Sequence, residues 1–336
     1  MIKTNYPEKC YAAWRGSRES RSICASGGLA TALGEYVIGS LGGVVFGTRF
    51  DDGLQPVVGW TEDPGGLEAF KGSKYVRSSL GAAALDRLKA FLGEGRAVLF
   101  VGTPCQVAAV RIAVGDPGAY SGTLYAVDLL CHGVMPAGYL AGEVDFLKRR
   151  HSIARVDNVR FRGNDAHDFH FSLWDSGRCV YDMKGDSQPY LSAYLLGIGF
   201  AEGCYSCNYA APGRVGDLTL GDFIGLGSSA SFERPDGNVS FVAAGTSAGA
   251  SLLEALASSD SALTLVPRPY SERLSYPYSL TKPFPRHRLD GFFRRLERRL
   301  GFPRAIRLTL VPVRLNSLYV KAKRKLGIKG SLRLPG

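Results

Sequence analysis

Two short apolar runs, Ala97-Val-Leu-Phe-Val101 and Leu124-Tyr-Ala-Val-Asp-Leu-Leu130, each lead straight into a loop that carries a cysteine. Cys105 stands in Gly-Thr-Pro-Cys-Gln and Cys131 in Cys-His-Gly. Runs of this length and bounding read as strands buried on both faces, the kind found in parallel sheets covered by helices. Ligands of open α/β sheets collect beyond the carboxyl ends of the strands, so cysteines there on two different strands can face one cavity. A CxxC pair, Cys204-Tyr-Ser-Cys207, can close the set. Four thiolates suit structural zinc or an iron–sulfur cluster, and spacing alone does not choose between them. Taken singly, Cys105 and Cys131 could equally be small thiols filling gaps behind strands.

The chain has 336 residues and 45% apolar content, enough for one large or two ordinary globular domains. Its first residues, Met1 to Lys9, contain no apolar stretch resembling a signal peptide, and no run reaches the length of a spanning helix. A cytoplasmic location is expected. There, seven cysteines are poor disulfide material, and thiolate or metal chemistry explains the clustered ones better. Cys10, Cys24 and Cys179 have no paired spacing and read as packing or surface residues.

Periodicity gives an α/β (α+β) chain: a mixed sheet core with flanking helices, an inserted β-hairpin region and a basic helical C-terminal tail. Residues 1–25 read as a surface wrap. A helix opens at Ser26-Gly27-Gly28, and Val44–Phe50 and Pro56–Trp60 form an antiparallel pair about Asp51-Asp-Gly53. Helices over Leu80–Leu92, Gln106–Ala113 and Ala137–Arg150 alternate with the two cysteine-bearing strands. Near His151 the texture changes. Val156–Arg162 and Asp168–Met183 alternate apolar and polar residues about Asp175-Ser-Gly177, as a β-hairpin does. A helix over Tyr190–Phe200 delivers the chain to Cys204, and Arg214–Asp222 and Asn238–Ala243 read as strands before a helix at Ser247–Ser258. The expected organisation is a catalytic domain over 1–283, in parts of about 1–150 and 151–283, and a tail over 284–336.

Several residues carry chemistry only in company. Ser26-Gly27-Gly28 can cradle a phosphate at a helix start or be an ordinary cap. Lys71-Gly-Ser73-Lys74-Tyr75 offers cations, a hydroxyl and a ring to a phosphate and a flat ligand, or is a plain surface turn. His132 can shuttle protons or simply bond its loop. Arg214 can pair with Asp217 or Asp222 to fix the loop that holds the CxxC. Between Lys282 and the end lie sixteen Lys or Arg against two acids, which leaves residues 1–281 at −3 within a total of +11. A helix there, with Leu289, Phe292, Phe293, Leu296 and Leu300 on one face, suits an anionic membrane, an acidic partner or docking on the body. Nucleic acid fits poorly, because no recognition module accompanies the charge.

In their order, Ser26-Gly-Gly28, Gly72-Ser-Lys-Tyr75, Gly102-Thr-Pro-Cys-Gln106, Cys131-His-Gly133, Cys204-Tyr-Ser-Cys207 and Arg214 through Asp217-Leu-Thr-Leu-Gly-Asp-Phe223 resemble the beta subunit of coenzyme F420 hydrogenase/dehydrogenase. The resemblance runs from about Tyr11 to Lys282. It implies an oxidoreductase with FAD and a 4Fe-4S cluster that exchanges electrons with a reduced deazaflavin, coenzyme F420, as substrate. It makes Cys105, Cys131, Cys204 and Cys207 the cluster ligands, while His132, beside one of them and able to shuttle protons, is the expected catalytic residue. Flavin or deazaflavin contacts are expected at Ser26, Gly27, Gly28, Lys71, Ser73, Lys74, Tyr75, Thr103 and Gln106.

Many relatives carry an amino-terminal ferredoxin-like domain, and this chain begins after the point where that would end. The expected acceptor is therefore a separate redox protein, ferredoxin-like or another subunit. Other members are linked to surface polysaccharide genes and to organisms not expected to make the deazaflavin. Two alternatives follow: a reductase that takes hydride from NAD(P)H, and a zinc-stabilised scaffold for polysaccharide assembly, held peripherally at the inner face of the membrane by the tail.

Overall fold

The structure, a computed structural model, describes residues 4–162 and 169–325. The first half runs β1 (Lys9–Arg15), α1 (Leu29–Gly39), β2 (Val44–Phe50), β3 (Pro56–Thr61), α2 (Ala82–Gly93), β4 (Ala97–Gly102), α3 (Pro104–Val114), β5 (Thr123–Leu129) and α4 (Ala137–His151). Next come β6 (Asn158–Arg160), β7 (His170–Asp175), β8 (Arg178–Lys184), α5 (Pro189–Leu196), β9 (Leu218–Asp222), β10 (Ser240–Ala244), α6 (Ser247–Ser259) and β11 (Leu263–Pro267). The last described residues form α7 (Tyr270–Leu274), α8 (Asp290–Leu300), α9 (Phe302–Thr309) and α10 (Val311–Lys325).

Among the described residues the main sheet has the order β11-β1-β10-β9-β5-β4-β2-β3. Its centre, β2, β4, β5 and β9, is parallel, and the strands on either side are antiparallel. The two cysteine-bearing runs are thus adjacent parallel strands, with Val98 of β4 beside Leu124 of β5. Helices α1 and α6 cover one face through Leu29, Leu33, Leu253 and Leu256. Helices α2 and α3 cover the other through Leu88, Phe91, Val107 and Val110. Central strands buried on both faces cannot alternate apolar with polar, which is why these read as continuous apolar runs.

Residues 1–25 do not simply wrap the surface. β1 lies inside the sheet, between β10 and β11, with Cys10 opposite Ala243 and Ala12 opposite Val266. Ala12 and Ala13 are fully buried. Both small residues pair with strands that arrive more than 200 residues later, so no local periodicity announces the strand.

A second layer packs α4, α5, α8 and α9 against the small antiparallel sheet β6-β7-β8. The turn of β7 and β8 falls at Ser176-Gly177, as the sequence suggests, while the expected strand start at Asp168 lies outside the described residues. α5 stops at Leu196 because Gly197 turns left-handed, with φ of 69°. The basic segment from residue 284 is not uniform. Phe293, Phe302, Ala305 and Ile306 of α8 and α9 belong to the buried cluster of this layer. α10 instead leaves Val311, Leu315, Tyr319 and Val320 exposed, and residues 326–336 of the tail lie outside the described chain.

Candidate functional site

The four parallel strands bring their carboxyl ends to one cavity of about 530 Å³, lined by Val45 to Thr48 of β2, Val101 to Thr103 after β4, Leu129 to Gly133 after β5 and Leu220 to Asp222 of β9. Into the same cavity the fold brings Ser26, Gly28, Lys71, Ser73, Lys74, Tyr75, Thr103, Gln106, Cys131 and His132, stretches that are separate in sequence. Gly27 does not line it. A side chain there would meet the Ala13 carbonyl oxygen at 2.2 Å, so this glycine lets the start of α1 lie against β1, and its N–H donates to Ser240 Oγ at 2.8 Å. Gly28 then takes a φ of 85°, and no side chain caps α1, whose first-turn N–H groups adjoin the cavity.

Much of the polar lining is already engaged. Ser26 Oγ donates to the Val239 carbonyl at 3.1 Å. Gln106 Oε1 accepts from Thr103 N–H at 3.0 Å while its Nε2 donates to Ser78 Oγ at 2.9 Å, which fixes the start of α3 beside Cys105. Lys71 pairs with Glu68. Lys74 Nζ donates to the carbonyls of Lys71 at 2.8 Å and Ala69 at 3.0 Å, and burial pushes its ammonium down to about 7. Tyr75 stacks on Tyr194 with ring centres 4.2 Å apart. Its hydroxyl accepts from Arg162 Nε at 2.7 Å, and Arg162 also pairs with Asp222 at 2.7 Å.

Cys131 lines the cavity, Cys204 and Cys207 are half-buried, and Cys105 is exposed. Burial pushes the Cys131 thiol up to about 12, and Cys204, Cys105 and Cys207 act in the same direction. Cys204 is raised too, first by burial and then by Cys207 and Cys105, with the Val134 N–H and, more weakly, Arg77 opposing. An electrophilic centre bound among these thiols would offset the cost of ionising Cys131 and Cys204. Among the described residues no three His, Cys, Asp or Glu side chains converge tightly enough to hold a single metal ion. Thr103 Oγ1 lies 3.2 Å from Cys105 Sγ.

Two buried devices hold the CxxC loop. Tyr205, between the cysteines, accepts from Phe200 N–H at 3.1 Å and donates to the Gly197 carbonyl at 2.8 Å, with Asp290 Oδ1 at 3.2 Å. Asp290 is fully buried and is itself bonded by Arg294 at 2.7 Å and Arg286 at 2.8 Å. Downstream, Arg214 does not pair with Asp217 or Asp222. It meets Asp128 of β5 at 2.6 Å, both side chains being at most 1% exposed, because Asp128 also accepts the N–H groups of Val215 and Gly216. Asp217 pairs instead with Arg111 at 2.9 Å and accepts Ala126 N–H at 2.8 Å.

Sequence reading missed Arg162, Arg273, Tyr276 and Phe284 of the cavity wall. It also placed Cys24 among packing or surface residues, yet Cys24 lines the cavity. His132 is half-buried, edge-on to Tyr276 and Phe284, and its Nε2 has no hydrogen-bond partner. Burial, then the Arg273 charge, pushes its imidazole down to about 4.

A family model that describes the C terminus of the coenzyme F420 hydrogenase/dehydrogenase beta chain matches residues 95–267, just over half of this protein. Among solved structures, a chain of the F420-reducing NiFe hydrogenase complex from Methanosarcina barkeri matches with a TM-score of 0.51 and 18% identity, over 100% of this chain and 99% of that one. At that identity the likeness speaks for the fold. No curated protein matches the chain.

Proposed function

Because the chain belongs to the coenzyme F420 hydrogenase/dehydrogenase beta-subunit family, we propose that it is an oxidoreductase whose cavity holds FAD and whose four thiols hold a 4Fe-4S cluster. One observation carries this reading. Cys131 lines the cavity while Cys105 is exposed, so a centre held by both would adjoin a flavin bound in the cavity and a partner docked at the surface. Bound FAD would accept an electron pair as hydride, and a cluster would relay electrons singly.

The chain's own residues supply the rest. The uncapped start of α1 and the cations of Lys71 to Lys74 would meet the flavin's diphosphate. Tyr75 stiffens the wall through Tyr194 rather than offering both faces. His132 keeps the proton-handling role, its free Nε2 being the atom that would meet the ligand. Thr103 and Gln106 position Cys105 from behind. The hydride donor is a reduced deazaflavin of the coenzyme F420 type, and the acceptor is a separate redox protein docking near Cys105.

Stopped-flow mixing with reduced deazaflavin, NADH and NADPH in turn tests the donor. Rapid bleaching of bound flavin by the deazaflavin alone is expected, whereas bleaching only by a nicotinamide would move the chain to the NAD(P)H alternative. No helix among the described residues is long and apolar enough to cross a membrane. The exposed stripe of Leu308, Val311, Leu315 and Tyr319, on a segment rich in Lys and Arg, would instead lie on an anionic membrane surface. Co-sedimentation with anionic but not neutral vesicles is the expected outcome, and equal binding to neither would remove this contact.

A further inference from the structure

Lys71, Lys74, Arg162 and Arg273 line the cavity against a single carboxylate, Asp222. Three of these cations are compensated. Lys71 has Glu68, Lys74 has backbone carbonyls, and Arg162 has both Asp222 and the Tyr75 hydroxyl.

Arg273 is different. It is 1% exposed, among the most completely buried side chains of the protein. Its Nη1 donates to the Tyr276 carbonyl at 3.1 Å, yet its Nε has no hydrogen-bond partner, and among the described residues no carboxylate pairs with it. Burial pushes the guanidinium down to about 10, the direction expected when surroundings do not compensate the charge. Its position is not loose. The guanidinium lies 5.4 Å from the Tyr276 ring centre. The neighbouring Glu272 ties α7 to the body through Arg268 at 2.8 Å and the N–H groups of Ser229 and Ala230. Tyr276 also meets His132 edge-on, whose Nε2 is likewise buried and unpartnered and whose ring lies 5.9 Å from that of Tyr276.

Chains rarely bury a charge without a partner, since the desolvation is not returned. A buried, unpaired guanidinium on a cavity wall, with a second free polar atom nearby, has the chemistry of a recognition site for an oxyanion. We infer that Arg273 is an anion-binding residue of the cavity, taking a phosphate or carboxylate oxygen of the ligand that occupies it. The inference rests on the flavin reading only for which ligand carries that oxygen: the diphosphate of FAD or an acidic group of the hydride donor.

Inorganic phosphate is the probe, read by thermal unfolding and by titration, with chloride at matched ionic strength as control. The full chain is used as purified and again after flavin removal. Phosphate should raise the midpoint of the wild type. A response only after flavin removal assigns the oxygen to FAD, and a response in both states assigns it to the donor. R273M should lose the response, with affinity weaker by about tenfold or more. Without phosphate it should melt at or above the wild-type midpoint, because methionine removes an uncompensated charge. R273K, which keeps the charge but not the planar fork, should respond weakly. If R273M does not fold, R273K decides: a weakened response supports the site and an unchanged one refutes it. Indifference of the wild type in both states overturns the inference, as does an R273M protein that responds like wild type. A protein that carries no flavin yet responds to phosphate through Arg273 would sink the flavin reading alone.

Discussion

The loop that carries Cys204 and Cys207 and the wall that carries Arg273 lie on neighbouring parts of one site, but they are built in opposite ways. Around the cysteines the buried charges are paired. Asp128 has Arg214 and two N–H groups, while Asp290 has two arginines, the Gly199 N–H and Tyr205. On the Arg273 wall two buried polar atoms, Arg273 Nε and His132 Nε2, have no partner. A fully satisfied network fixes a geometry, as thiolates that must meet a rigid inorganic centre require. A partly satisfied wall is stable only at a cost, and its missing partners define what should arrive. Substitutions in the first region should therefore destabilise the protein, and substitution of Arg273 should not.

The largest effect is expected at the Arg214–Asp128 pair. Asp128→Ala leaves the buried Arg214 guanidinium without a counter-charge, and urea unfolding should register a loss of about 3–5 kcal/mol. A loss below about 1 kcal/mol would erase the contrast with Arg273. Next comes Asp290→Ala. Without it Gly199 N–H and Tyr205 lose an acceptor, for about 1–3 kcal/mol, and the CxxC loop loosens. Iron retained per chain should fall along with the melting temperature, while unchanged iron would detach α8 from the thiol centre.

Two truncations sharpen the same point. Removing residues 311–336 should leave flavin and iron content intact and weaken association with anionic vesicles. Removing 284–336 should strip iron as well, because it takes away Asp290 and the buried Phe293 and Phe302. The sequence alone treats that whole segment as a separable basic tail, and equal cofactor content after both cuts would restore that view.

The smallest expected effect is a pH dependence. Bonding from Arg268 holds the Glu272 carboxyl down to about 2 from the ordinary 4.5. A depressed carboxyl contributes stability that is complete above the unfolded value and is lost as pH falls toward the folded one. Glu272→Gln should thus be less stable than wild type at neutral pH, with the gap closing as acid titration passes below 4.5 toward 2. A gap that persists at low pH would point to packing instead.

The parallel centre of the sheet was legible because β4 and β5 declare themselves locally, by apolar runs between glycines. The β2–β3 hairpin was legible from its Asp-Asp-Gly turn. β1 was not, since Ala12 and Ala13 have no period of their own and owe their burial to β10 and β11. The cavity followed the same rule. Ser26, Lys71 to Tyr75 and His132 stood in short motifs, and the fold brings them to one cavity. Arg273 and Arg162 sit in no motif, and only the tertiary structure distinguishes a lone buried guanidinium from an ordinary surface one. Asp128 escaped notice for a related reason. In sequence it is one polar residue inside an apolar strand, and its partner lies 86 residues away.

The central claim is that the cavity holds a flavin and the four thiols an iron–sulfur cluster. Iron, acid-labile sulfide, zinc and flavin should be measured on one anaerobic preparation of the full chain. The account predicts about four iron and four sulfide per chain together with bound FAD, all of the iron being lost in Cys131→Ser and none in Cys179→Ser. Stoichiometric zinc, with neither iron nor flavin, would contradict it.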